Sequence, residues 1–232
     1  MIESCCVCRT GKVRSVNQDR AGCFSLENWC LAFVADGMGG HYGGEQASEI
    51  VAQACSQWWE SFLKAPQRPG FLQSAEQLRG LLRWCHEEIK KAAPLNEVCG
   101  TTAVLLWISG AEYALFSVGD SRCYAVSRRF GLSQRPLQLT HDDVASEPHL
   151  AGKLLRALGP GECVFSLTTG RVRPGVVYAL CSDGIYKACP GLLAGLRAVS
   201  PGKKLKETAE KITAQVDANG APDNYSLVLI RV

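Results

Sequence analysis

The chain has 232 residues, and the 47% that are apolar are enough to bury a substantial core. Its formal net charge of +3 is too small to indicate a nucleic acid or a membrane surface as partner. No stretch approaches the roughly 18 consecutive apolar residues of a membrane-spanning helix, and residues 1–6 lack the features of a secretory signal. We therefore expect a cytoplasmic protein without a membrane partner.

The first part of the sequence predicts strands followed by helices. Short apolar runs predict strands over residues 2–9, 20–26 and 29–35. Apolar residues at helical spacing then predict one helix over residues 47–62 and a second over 75–92. Proline-containing segments follow both helices and are expected to end them.

The remainder of the sequence predicts mostly strands, with one short and one longer helix. Strands are expected at 101–108, 111–118, 121–127, 136–140, 163–171, 176–182 and 224–232. A short helix is expected at 150–158 and an amphipathic helix at 205–216. The strands 163–171 and 176–182 are expected to pair as a hairpin. This order predicts an α+β fold of antiparallel sheets covered by helices, formed by residues 1–232 as a single domain.

Twelve cysteines are spread along the chain. They form no CxxC pair and no Cys/His cluster with zinc-finger spacing. Most of them lie inside apolar runs, where a thiol behaves as a small hydrophobic group. We expect reduced core cysteines, since a disulfide framework is typical of exported proteins.

Aspartates stand at or just beyond the ends of four apolar runs. They are Asp36, Asp120, Asp183 and Asp223, and glycine is the usual neighbour. Because such runs predict buried strands, the carboxylates are expected at the rim of a sheet. A cluster of like charges is costly unless a hard cation neutralises it. The pattern therefore predicts a Mg²⁺ or Mn²⁺ site with more than one ion.

Two segments beside these aspartates have more than one interpretation. The glycine-rich segment 36–44 could be a flexible turn, a metal-binding loop or a phosphate cradle, although its spacing matches neither GxGxxG nor GxxxxGK[ST]. The guanidinium of Arg14 could hold a phosphate through two hydrogen bonds or form a surface salt bridge.

Eight segments, taken in order, make the pattern more specific. They are Gly11–Asp19, Ala35–His41, Gly100–Thr102, Val118–Arg122, Leu139–Asp142, Leu155–Gly159, Leu180–Gly184 and Asp223–Asn224. Together they resemble the metal-dependent protein phosphatase family, type 2C, in its bacterial serine/threonine branch. The resemblance runs nearly from end to end of the chain.

The resemblance implies a four-layer αββα sandwich of two antiparallel sheets flanked by helices, with the metal site at one edge between the sheets. It implies two Mn²⁺ or Mg²⁺ ions that activate water for in-line hydrolysis of a phosphate ester. By this resemblance, Asp36 would bridge both ions and the Gly37 carbonyl would complete the coordination of one of them. Asp183 and Asp223 would ligate the deeper ion. Asp19 would orient the metal-bound water, and Arg14 would bind the substrate phosphate.

The sequence departs from the family at several positions. Met38 stands where eukaryotic relatives have a histidine that protonates the leaving group, and His41 is the candidate to replace it. Asp142 keeps a position that resembles the ligand of a third ion. The flap that borders the substrate in bacterial relatives is shortened here to about residues 142–155, which should leave the site more open.

The function implied is a protein serine/threonine phosphatase that acts on phosphoserine and phosphothreonine in bacterial signalling. Its implied partners are phosphoproteins and a cognate serine/threonine kinase, without nucleic acid, and a monomer is expected. A first alternative is a catalytically silent regulator that binds phosphoproteins, which Met38 and the short flap favour. A second is a metal-dependent hydrolase of small phosphoesters.

Overall fold

In the computed structural model, most of the predicted apolar runs form strands, and the long segments with helical periodicity form helices. The structure describes residues 2–39, 43–93, 98–129, 132–133, 135–146, 153–197 and 204–232. The strands are β1 Glu3–Arg9, β2 Asp19–Leu26, β3 Trp29–Met38, β4 Gly100–Thr101, β5 Ala103–Ser109, β6 Glu112–Val118, β7 Arg122–Val126, β8 Arg128–Arg129, β9 Leu132–Ser133, β10 Leu137–Gln138, β11 Ser166–Arg171, β12 Val177–Cys181 and β13 Tyr225–Arg231. The helices are α1 Gly43–Lys64, α2 Phe71–Ala92, α3 Asp183–Ala188, α4 Leu192–Arg197 and α5 Leu205–Ala218.

The strands form two large antiparallel sheets. The first sheet has the order β1-β13-β12-β7-β10. The second has the order β11-β6-β5-β3-β2, with β4 beside β3. The predicted α+β fold of two antiparallel sheets flanked by helices is confirmed.

Strand β3 shows how the layers are held together. Its residues 30–35 are all buried, because both faces of the strand are covered. Alternate side chains point to opposite faces, so Leu31, Phe33 and Ala35 pack against α1 and α2. Cys30, Ala32 and Val34 pack instead against the first sheet. Burial of each large apolar side chain contributes about 1.5–3 kcal/mol, which explains the continuous apolar run.

The outer face of the first sheet is covered by α3, α4 and α5. The apolar stripe of α5, including Ile212 and Val216, is buried there, and the predicted helix at 205–216 is confirmed. None of the twelve cysteines, all of which lie in the described residues, forms a disulfide. The helices found in the described residues are all too short or too polar to cross a membrane.

Two sequence predictions in the second half of the chain are wrong. Strands β11 and β12 do not form a hairpin, because β11 pairs with β6 in the second sheet while β12 lies between β7 and β13 in the first. The chain therefore crosses from one sheet to the other at residues 172–176. Of the helix predicted at 150–158, residues 150–152 lie outside the described residues, and residues 153–158 are not helical but form isolated bridges at Leu154 and Leu158.

Candidate metal centre

Two aspartates face each other at the end of the second sheet. Asp19 opens β2 and lies directly opposite Asp36 of β3 in the antiparallel register. Side chains of directly opposed residues share a face of the sheet. A Cβ at Gly37 would collide with the carbonyl oxygen of Gly44, so only glycine lets β3 pass this close to the start of α1. The backbone thus fixes both carboxylates on one face of the sheet edge.

Asp19 is fully buried, and only one of its oxygens is satisfied by the protein. The Ser182 hydroxyl donates to Asp19 Oδ2 at 2.7 Å, whereas Oδ1 has no hydrogen-bond partner within the described residues. Burial raises the pKa of Asp19 to about 6 against the lowering effect of the Ser182 and Ser226 hydroxyls, and the charges of Asp183 and Asp223 add to the rise. A partnerless buried carboxylate oxygen is rare in proteins and calls for a ligand, an ion or water.

Asp36 lies in the field of four other aspartates. Its burial, followed by the charges of Asp19, Asp183, Asp120 and Asp223, raises the pKa of Asp36 well above its ordinary value. The negative charges of four carboxylates, at the ends of β2, β6, β12 and β13, therefore act on the Asp36 carboxylate. Asp36, Asp120, Asp183 and Asp223 are the aspartates that the ends of the apolar runs indicated, and Asp19 joins them.

Two basic side chains contact the outer carboxylates of this group. Arg14 Nε and Nη2 donate to Asp223 Oδ1 and Oδ2 at 2.8 and 2.9 Å. Lys187 Nζ donates to Asp183 Oδ2 at 2.5 Å. All four residues line one cavity of 580 Å³. No three acidic, histidine or cysteine side chains among the described residues are placed to hold a metal ion in this arrangement.

The loop that carries Arg14 is held by Asn224, whose role the sequence did not reveal. Asn224 Oδ1 accepts a hydrogen bond from the Gln18 backbone N–H at 2.8 Å. Its Nδ2 donates to the carbonyls of Thr10 and Val16 at 2.7 and 2.9 Å. The asparagine beside Asp223 thereby ties that ligand candidate to both ends of the Arg14 loop.

A second support lies behind Asp36. The Thr102 hydroxyl accepts a hydrogen bond from the Asp36 backbone N–H at 3.1 Å and is 2.7 Å from the Ser121 hydroxyl. Asp120, the buried residue just before Ser121, accepts a hydrogen bond from the Tyr186 hydroxyl at 3.1 Å. Asp120 is one of the four aspartates at the ends of apolar runs. Its position after a buried apolar run was the signal for a place in the carboxylate cluster.

The remaining predicted site residues lie beside this cluster, where the charge of Asp142 acts on Asp120, or outside the described residues. Asp142 forms an ion pair with Arg122, whose Nη2 donates to Asp142 Oδ2 at 2.6 Å. Its role toward a third ion stays a prediction. His41 and residues 147–152 lie outside the described residues. The described ends of the predicted flap run side by side, joined by a bridge between Val144 and Leu154.

The donor set fits hard divalent cations. The ligand candidates Asp36, Asp183 and Asp223 offer only carboxylate oxygens, which Mg²⁺ and Mn²⁺ prefer. Two of them already attract cationic side chains. Asp19 adds a buried oxygen that no protein group among the described residues satisfies. The residues therefore suit a group that is positively charged, small and able to take several oxygens at once.

Comparison with known proteins identifies relatives over almost the whole chain. The family model for protein phosphatase 2C matches residues 11–224. The serine/threonine phosphatase stp of Listeria monocytogenes is 27% identical over 242 residues, which cover 95% of this chain and 92% of that protein. PppA, a key regulatory component of T6SS in Pseudomonas aeruginosa, has a TM-score of 0.79 at 26% identity, covering 99% of this chain and 97% of that one. The catalytic domain of the serine/threonine protein phosphatase PstP, in complex with two manganese ions, has a TM-score of 0.77 at 26% identity over 99% and 97% of the two chains.

Proposed function

The chain belongs to the protein phosphatase 2C family, and from this premise we propose a protein serine/threonine phosphatase with a binuclear Mn²⁺ or Mg²⁺ centre. Its substrates are phosphoserine and phosphothreonine in proteins. One observation carries the proposal: Asp19 and Asp36 face each other at a sheet edge, within the electrostatic reach of Asp183 and Asp223.

Asp36, the Gly37 carbonyl, Asp183 and Asp223 would hold the two cations. Bound divalent cations supply an activated water for in-line attack on phosphorus and offset the charge on the phosphoryl oxygens. No nucleophilic side chain is needed, which agrees with the raised pKa of buried cysteines such as Cys55, where burial disfavours the thiolate.

Arg14 binds the substrate phosphate in this proposal. Its two donors now contact both oxygens of the Asp223 carboxylate, and a phosphate offers the same paired acceptors. Because the side chain is half-exposed, it can exchange one anion for the other. A guanidinium held next to the reacting phosphoryl group stabilises the charge of the transition state.

Asp19 positions the attacking water. Ser182 fixes its Oδ2, and Oδ1 is left to accept a hydrogen bond from water at the site. His41 stays the predicted donor to the leaving oxygen.

We extend the proposal to the setting of the enzyme. Residues 1–232 act as one catalytic domain and as a monomer in the cytoplasm, with a flap shortened to about residues 142–155. The phosphatase opposes a cognate serine/threonine kinase. The length of the family match, residues 11–224, supports the single domain.

The test is phosphate release from a phosphothreonine peptide by the purified protein in EDTA, Mg²⁺ or Mn²⁺, beside Asp36→Asn. The proposal requires turnover with metal, none in EDTA, and loss of at least about 100-fold in kcat for the variant, in the range seen when a main electrostatic contributor is removed. Metal binding without turnover on any phosphopeptide would favour the silent regulator. Faster turnover of small phosphoesters by several orders in kcat/KM would favour the metabolite hydrolase.

A further inference from the structure

Lys187 places a positive charge inside the proposed metal centre. It lies one helical turn after Asp183 on α3, at i,i+4 spacing, and its ammonium donates to Asp183 Oδ2 at 2.5 Å. The ammonium is attracted by Asp120 and Asp36 as well as by Asp183. One lysine therefore interacts with three carboxylates of the cluster at once.

This lysine differs from the other cation of the site. Arg14 reaches Asp223 from a loop more than 200 positions away in the chain, whereas Lys187 is tied to Asp183 by the same helix. Residues at i,i+4 remain neighbours as long as the helix is intact. The ammonium consequently stays at high local concentration beside Asp183, and a metal ion has to compete with it for the same oxygen.

We propose that Lys187 sets the divalent-cation affinity of the Asp183 site by acting as a tethered competitor for Asp183 Oδ2. This inference rests on the proposed metal centre. When a cation is bound, the ammonium moves into the 580 Å³ cavity that Lys187 and Arg14 both line. There it adds a second positive charge beside the group that binds the substrate phosphate.

The competition has a cost in metal affinity that can be measured without any enzymatic assay. A half-exposed ion pair of this type is worth up to about fivefold in an equilibrium constant. Lys187→Met removes the charge and keeps a chain of similar length, so it should lower the Kd for Mn²⁺ about two- to fivefold. Lys187→Arg keeps the charge and should stay within about twofold of the wild type.

Isothermal titration of the metal-free protein with Mn²⁺ measures these constants. The matched control is Lys64→Met, because Lys64 forms an i,i+4 ion pair with Glu60 in the last turn of α1, at the opposite end of that helix from Gly43. This control should bind Mn²⁺ like the wild type. Asp36→Asn, which should lose binding, verifies that the titration reports the proposed centre.

A second measurement follows the lysine itself. Acylation of amines, read by mass spectrometry, should modify Lys187 faster with saturating Mg²⁺ than in EDTA, since the metal releases its ammonium from Asp183. Lys64 should react equally in both conditions. The combined result would support the competition only if both the affinity and the reactivity change.

The outcomes separate this inference from the proposed function. Equal Kd values for the wild type, Lys187→Met and Lys187→Arg, with binding lost in Asp36→Asn, would overturn the role of Lys187 and leave the metal centre standing. Binding by Lys187→Met alone would support the competition in an extreme form. Absence of binding in every variant and in the wild type would overturn both.

Discussion

Replacing Asp19 with asparagine should stabilise the metal-free protein, and by an amount that depends on pH. Burial raises the pKa of Asp19 from its ordinary value of 3.8 to about 6. A carboxyl group whose pKa is higher in the folded state destabilises the fold wherever it is ionised, and this effect disappears as pH falls below the unfolded pKa. The side-chain amide in Asp19→Asn would keep an oxygen to accept the Ser182 hydrogen bond while removing the charge.

The size of the effect follows from the two pKa values. One pKa unit corresponds to about 1.4 kcal/mol, so the ionised group costs on the order of 3 kcal/mol at pH 8, and most of this cost is lost at pH 4, where the carboxyl group is protonated in the folded state. Asp19→Asn should therefore raise the free energy of unfolding by about 3 kcal/mol at pH 8. For a chain of this length the Tm would rise by about 6–12 °C.

The assay is thermal and urea unfolding in EDTA at pH 8 and pH 4, with Lys64→Met as a surface control that should show no gain. Addition of Mn²⁺ at pH 8 should narrow the difference, because the cations offset the buried charge of Asp19, so that the wild type binds them more tightly than the variant and gains more stability by mass action. A variant no more stable than the wild type at pH 8, or an equal gain at both pH values, would refute the reasoning that the site stores unfavourable charge.

Three further substitutions test the geometry of the site. Gly184→Ala should destabilise the fold by at least about 2 kcal/mol in urea unfolding, because the new Cβ would collide with the Asn224 carbonyl oxygen; wild-type stability would contradict this close approach. Ser182→Ala should cost about 1–3 kcal/mol in the same assay, since the buried Ser226 N–H loses its acceptor; a neutral effect would mean that water replaces the hydroxyl. Arg14→Lys keeps the charge but loses the paired donors, so kcat/KM on a phosphopeptide should fall about tenfold or more; an unchanged value would remove Arg14 from phosphate binding.

The sequence was sufficient to predict those helices whose apolar spacing repeats over several turns. The apolar faces of α1, α2 and α5 each extend over three or more turns, and their helices are found where the spacing predicted them. Helices α3 and α4 have six residues each, which is too short for a helical period to emerge. The wrong hairpin of β11 and β12 has a different cause, since a turn signal between two strands does not determine which sheet each strand joins.

The candidate site was predictable as a set of residues but not as a set of contacts. Aspartates after apolar runs indicated the carboxylate cluster, and the two-residue turn at 27–28 sets the register that places Asp19 opposite Asp36, but this is the one contact of the site that follows from the local pattern. The partners Ser182 and Lys187 belong to the segment of Asp183 and carry no motif of their own. Hydrogen bonds between distant segments, such as that of Asn224 with Gln18, arise only when the sheets are packed.

The most direct test of the central claim is a crystal structure of the protein soaked in Mn²⁺, with anomalous data collected at the manganese edge. The account predicts two anomalous peaks between Asp36, Asp183 and Asp223, with Lys187 displaced from Asp183. Peaks elsewhere, or no peak at this sheet edge in crystals that retain the Asp19–Asp36 pairing, would contradict the assignment of this cluster as the catalytic metal centre.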